Sequence, residues 1–283
     1  MAKHSLLNRV VVYGGALLVA LVILAPPLWL VISSISPAAE LLSVPVHWFP
    51  QEPTFERYRQ VIFATGSDTA AVFRISLLNS MIVATSVTLI CVVLGSLAAY
   101  SFARMPFARH ERLIYVLLIA YMLPPIILVI PLYGIMGRLG LTDTRIGLIA
   151  IYTSLIMPFA VWILRGFFQT IPAELESAAM IDGSSRFGAF VRIILPLALP
   201  GLVATALFCF LMAWEEFLIA LIFTSSAASK TVPVAIAEFK GRHAIDFGMM
   251  ATGGIIAAIP PVIIAIVFQR YLISGLSSGA VKG

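Results

Sequence analysis

Two adjacent carboxylates, Glu215 and Glu216, sit inside the apolar run from Ile193 to Phe223. Such side chains can form an acid–base pair, touch a polar solute or hold a hydrogen bond between helices. Adjacent residues of one helix point about 100° apart, so one is expected to face a cavity and the other a neighbouring helix. Trp214 precedes the pair, and Asn79-Ser80 stand at the start of another apolar run, where capping or interhelical hydrogen bonding is the expected role. Little else in the chain suits catalysis. There is no GxxxxGK[ST] phosphate loop, so ATP hydrolysis is not expected in this chain. HExxH and a Cys/His cluster are also absent. None of His4, His47, His110 and His243 falls in a long apolar run, and Cys91 and Cys209 fit buried small hydrophobes better than a disulfide or metal pair. No catalytic, cofactor-binding or metal-ligating residue is therefore assigned, and no cofactor is expected in this chain.

A second polar constellation runs from Glu176 to Pro196, ESAAMIDGSSRFGAFVRIILP. Pro172 suits the first turn of a helix, and Glu174 and Glu176 favour the positive end of its dipole. Leu175, Ala178, Ala179 and Asp182 fall at helical spacing and make a small, shallow face suited to close approach by another surface. Gly183 can take the left-handed conformation that ends a helix. Ser184 or Ser185 can then cap a second helix carrying Arg186, with Phe187, Phe190 and Ile194 on one stripe. The segment describes two short helices at a fixed angle. An amphipathic loop lying on the bilayer is the plainer alternative, but its small Ala-Ala face is poor for lipid.

The elements that must position these residues are membrane helices. Of 283 residues, 61% are hydrophobic and 11% charged, against about 25% charged in a soluble domain. Five runs, Val10 to Ile32, Leu77 to Phe102, Leu113 to Gly137, Ile146 to Leu164 and Phe247 to Gln269, contain no Asp, Glu, Lys or Arg. With Ile193 to Phe223 they predict six spans, each near the roughly 20 residues a span needs. The first run exceeds a signal-peptide core and reads as a retained span. Lys3 and Arg9 precede it, and no Lys or Arg follows until Arg57. The N-terminus, and after six spans the C-terminus, are therefore expected in the cytosol. That places the 172–196 hairpin in the cytosol as well, and residues 33–76, with HWFP and PTFERYRQVI, in an external loop whose second part could form a short amphipathic helix. Arg104, Arg109, Arg112, Arg165, Arg192, Arg270 and Lys282 fall in cytosolic segments, so the net charge of +5 reflects the cytosolic face rather than a nucleic-acid surface. Pro26-Pro27, Pro124-Pro125, Pro158, Pro200 and Pro260-Pro261 predict bent helices. Thr142, Asp143 and Thr144 precede an apolar run as helix-capping residues do. No internal repeat is visible, and residues 1–283 are expected to form a single membrane domain with a core of about 74–270.

The hairpin resembles the EAA signature of bacterial ABC-importer permease subunits: Glu-Ala-Ala, three residues, Gly, nine residues, then Ile-x-Leu-Pro. Ala178, Ala179, Gly183, Ile193, Leu195 and Pro196 match at that spacing, while Ser177 stands where the signature has its Glu and Glu176 keeps an acid one residue earlier. YMLPPIILVIPLYGIMGRLGLTDTRIGLI and the ending QRYLISGLSSGAVKG are similar to maltose-type carbohydrate-importer permeases, nearest the smaller partner of the permease pair. Trp214-Glu215-Glu216-Phe217 lies where similar permeases read Trp-Asn-Glu-Phe. The resemblance implies an all-α type I ABC importer permease in a bacterial inner membrane. It implies a second permease subunit, two ATPase subunits that hold ATP and Mg, an external solute-binding protein, and a sugar substrate. Glu174, Glu176, Ala178, Ala179, Asp182, Gly183, Arg186 and Pro196 would form the coupling helix seated in an ATPase cleft. Asn79, Trp214, Glu215 and Glu216 would lie near a cavity or gate, and the tail GLSSGAVKG would touch the ATPase pair. The same fold could carry glycerol phosphate, a polyamine or another polar solute. An intramembrane enzyme lacks a second catalytic constellation, and a self-sufficient secondary transporter lacks Asp, Glu, Lys or Arg in five spans.

Overall fold

A computed structural model describes residues 6–45, 47–63, 68–105, 110–239 and 246–280. Lys3, His4, Arg109, His243, Lys282 and the last three residues of the tail, all invoked above, lie outside these. The described secondary structure is helical: α1 Leu6–Ile35, α2 Ala38–Leu41, α3 Glu56–Phe63, α4 Asp68–Arg104, α5 His110–Met122, α6 Pro125–Arg138, α7 Arg145–Thr170, α8 Ala173–Ile181, α9 Arg186–Ala189, a π turn Phe190–Ile194, α10 Leu195–Leu197, α11 Leu199–Glu215, α12 Leu218–Phe223, α13 Val232–Ala237 and α14 Phe247–Ala280. Four stretches, Val10–Ile35, Thr69–Arg104, Arg145–Thr170 and Phe247–Arg270, are long and apolar enough to cross a membrane unbroken. The most apolar part of α1 is wholly uncovered by protein. Such a surface is untenable in water and ordinary in lipid.

Two of the six expected spans are not straight. Between Arg112–Met122 and Pro125–Arg138 the axis turns by 92°, and between Arg186–Leu197 and Leu199–Glu215 by 77°. Pro124-Pro125 supply no N–H at the first break, and Pro200 supplies none beside the second. A further break follows at Glu216, which is extended at φ −65°, ψ 124°. Ile193 to Phe223, one apolar run in the sequence, is thus four helical pieces. Counting each bent pair as one span restores six.

The chain packs as two compact units, one of the described residues up to Arg74 with Ile236–Ile259, the other of Ile75–Ala235 with the described residues from Pro260 on. In the first, buried Arg57 of α3 donates to the carbonyls of Ser36 (2.6 Å) and Ser34 (3.4 Å) and pairs with Asp246 at 3.7 Å. It thereby satisfies backbone acceptors at the C-terminal end of α1, where a cation is favoured. Gly248 lets the guanidinium pass, since a Cβ there would stand 2.1 Å from Arg57 Cζ. In the second unit, Val83, Val87 and Cys91 of α4 pack with Leu148, Ile151 and Tyr152 of α7 and with Cys209, Phe210 and Trp214 of α11. A second cluster joins Ala99 and Tyr100 of α4 to Leu164 and Phe168 of α7 and to Phe190 and Ile194. α11 lies close on α7 because position 201 is Gly: a Cβ there would meet the Phe167 ring at 2.3 Å.

Candidate functional site: a latched hairpin and a membrane-depth cavity

The hairpin forms as its residues dictate. Pro172 precedes α8 at φ −57°, with Glu174 and Glu176 in the first turn. Gly183, at φ +88°, closes the helix. Its N–H reaches the Met180 carbonyl (3.1 Å) and the Ser184 N–H reaches Ala179 (2.9 Å), a Schellman closure. Of the two candidate serines, Ser185 caps α9, its Oγ accepting from the Gly188 N–H at 3.1 Å. The second helix is only one turn long before it widens to the π turn, in which the Leu195 N–H bonds the Phe190 carbonyl. Pro196, exposed in α10, has no N–H to offer Arg192, so regular α geometry is interrupted there.

The exposed face differs from the expected one. Leu175, Ala178 and Asp182 are exposed, but Ala179 and Glu176 turn inward, Glu176 to 6% exposure. Sequence spacing placed Ala179 with Ala178, whereas α8 lies on its Glu176–Ala179 edge. Ile181 and Phe187, at 86% and 67% exposure, join the outer face instead. Phe190 and Ile194 are buried as a stripe without Phe187. Ser177, in the signature-acid position, is exposed and its hydroxyl donates to the Ala173 carbonyl at 3.2 Å. Glu174, Gly183 and Arg186 are exposed.

Glu176 is held from α4. The Tyr100 hydroxyl donates to its Oε1, and Arg104 Nε stands 3.6 Å from its Oε2. Arg104 Nη2 also donates to the Ile171 carbonyl at the end of α7. The Tyr100 ring packs on Phe190 at 4.6 Å and edge-on to Phe168 at 6.4 Å. Tyr100 and Arg104 were missed as site residues by sequence reading. Their spacing of four residues puts them on one face of α4, but nothing in the sequence announces an acid more than 70 residues away as their partner.

At membrane depth the two acids part company because the helix ends between them. Glu215 is the last residue of α11 and is exposed. Glu216 lies beyond it, so the expected 100° offset does not apply. Its Oε1 accepts from the Ile219 N–H (2.9 Å) and its Oε2 from the Ala220 N–H (3.1 Å), capping α12. The Tyr152 hydroxyl of α7 donates to the same Oε2 at 2.7 Å. Glu216 thus meets both descriptions at once, for it also lines a cavity of about 400 Å³ with Tyr121, Tyr152, Ser154 and Met212. Trp214 is buried and stacked on Phe210 at 5.5 Å, away from that lining.

Asn79 is not at the cavity either. Its Nδ2 donates to the carbonyls of Ala227 (3.0 Å) and Lys230 (2.8 Å), and Ser80 Oγ accepts from the Val232 N–H at 2.9 Å. The same 224–231 loop is gripped from its other side by Asp143, whose Oδ1 accepts from the N–H groups of Ser225 (2.8 Å) and Ser226 (3.0 Å) and from the Ser229 hydroxyl. Asp143 sits at φ +55°, a region a short polar side chain tolerates. Burial opposes its charge, but the Ser225, Ser226 and Ser229 donors outweigh burial and hold the carboxyl well below the usual range. Thr144, its neighbour, is the true cap of α7, accepting from the Gly147 N–H at 3.0 Å.

Against known proteins, residues 91–278 match the family model described as "Binding-protein-dependent transport system inner membrane component". The trehalose/maltose transport system permease protein MalG of Thermococcus litoralis is 38% identical over 99% of this chain and 99% of its own length. The trehalose transport system permease protein SugB of Mycobacterium tuberculosis is 39% identical over 92% and 93% respectively. In a bacterial ABC transporter that imports the acidic polysaccharide alginate, one chain superposes with a TM-score of 0.76 at 20% identity, over 96% of this chain and 99% of that one.

Proposed function

This chain belongs to the family of binding-protein-dependent transport system inner membrane components, and on that premise we propose that it pairs with a second permease subunit to carry a sugar inward. It is a multi-pass protein of the inner membrane and the transmembrane, non-catalytic part of an ABC importer. The two relatives above are named for trehalose and maltose, which supports a small oligosaccharide as cargo. Two ATPase subunits, holding ATP and Mg, are the partners that the hairpin would engage. An external solute-binding protein would deliver the sugar.

The observation that carries this reading is the outer face of α8. Leu175, Ala178, Ile181 and Asp182 are exposed on a helix closed by a fixed turn. A face of this kind, small and apolar with one acid, suits a shallow protein cleft better than water. Glu216 and the cavity beside it are in reach of a solute in the pathway, although capping α12 already accounts for the carboxylate.

The test is purification of the tagged chain from its native membrane, with mass spectrometry of what accompanies it. A second permease and an ATPase should be recovered. Ala178→Trp, which adds bulk on the outer face only, should lose the ATPase and keep the second permease. Recovery of the chain alone, moving solute in liposomes without ATP, would contradict the importer reading.

A further inference from the structure

Two groups of side chains on α4 hold different parts of the second unit. At one end Tyr100 and Arg104 grip Glu176 of α8, and Arg104 also grips the Ile171 carbonyl just before it. Toward the other end Asn79 and Ser80 bond the 227–232 segment at three points. At about 1.5 Å per residue, the helix from Asn79 to Arg104 spans roughly 37 Å. That exceeds the roughly 30 Å of a membrane's hydrocarbon core.

We propose that Tyr100 and Arg104 are positioning residues that latch the coupling hairpin onto α4 through Glu176, so that displacement of the hairpin is carried along α4 to the external 224–232 segment. The proposal rests on the importer reading above, and it reassigns Glu176 from docking the ATPase to fixing the hairpin within its own subunit. The geometry favours this over simple packing. A carboxylate at 6% exposure is held by one neutral hydroxyl donor and by one guanidinium ion-paired at 3.6 Å, the two spaced one helical turn apart. A buried charge whose partner is removed is strongly destabilised. The hairpin therefore stays seated on α4 only while the pair is intact. Ser177, one residue on, faces outward and leaves the docking surface free of this acid.

Two readouts test it in the full chain and its native complex. The first is amide hydrogen exchange across residues 173–182 in the purified chain. Glu176→Gln and Arg104→Gln should speed exchange there about tenfold or more relative to α7. Arg104→Lys keeps the charge and should recover most of the protection. The second is sugar transported per ATP hydrolysed by the complex in proteoliposomes. It should fall several-fold in Glu176→Gln and Arg104→Gln, with the ATPase still bound, and recover in Arg104→Lys. Unchanged exchange would overturn the latch. Loss of the ATPase from the complex with exchange unchanged would overturn it too, because Glu176 would then be a docking group. Failure of the wild-type chain to bring down any ATPase would remove the importer reading and the coupling role with it, while exchange would still decide whether the latch exists.

Discussion

Asp143 shows how much a single side chain can settle. It enters the left-handed region at φ +55°, and its carboxylate collects donors from Ser225, Ser226 and Ser229. Because its folded-state carboxyl titrates below the ordinary carboxylate range, its contribution is fully present above about pH 4 and fades only as the pH falls further. Amide exchange at Ser225 and Ser226, corrected for intrinsic rate, should therefore stay slow at pH 5 and accelerate below about pH 3. Asp143→Ala should remove that protection at every pH. Gly183 makes a second residue-scale case. Nothing stands within 4 Å of where its Cβ would be, so space does not require the glycine; its φ of +88° does. Gly183→Val should cost about 1–2 kcal/mol of hairpin stability, with Gly183→Asn costing less, as read from exchange across residues 173–182. The left-handed glycine was legible in the sequence, as was the serine cap. The role of Asp143 was not: a capping pattern and a long-range anchor look alike when only neighbours are visible.

Among elements, the prolines divided what hydropathy joined. Apolar content marks where lipid can be crossed, and it is blind to a missing N–H. Pro124-Pro125 and Pro200 did mark Leu113–Gly137 and Ile193–Phe223 as bent, but they did not show that the axes turn by 92° and 77°. The helix ending at Glu215 had the same effect on the acid pair, since the angle between neighbours holds only inside a helix. Stability should show the difference. Glu216→Ala removes a cap and the Tyr152 bond and should cost about 1–3 kcal/mol. Glu215→Ala, at an exposed position, should change stability by less than about 0.5 kcal/mol. Thermal unfolding in one detergent can compare them. The α7–α11 contact makes a sharper demand. Gly201→Ala drives a methyl into the Phe167 ring and should cost about 1–3 kcal/mol unless the helices part.

For the whole molecule, composition and the spacing of the polar hairpin carried the fold class, and the family match agrees with both. The sequence did not reveal that one acid of the hairpin belongs to its own membrane helix, because that depends on how α8 rolls against α4. Sugar movement through this chain should require ATP and its partners. The most direct measurement is uptake of radiolabelled maltose and trehalose into proteoliposomes holding the complex purified with this chain, with its binding protein and with ATP enclosed or omitted. Uptake that requires both ATP and the binding protein is the predicted result. Uptake of either sugar that is equally fast without ATP would contradict it.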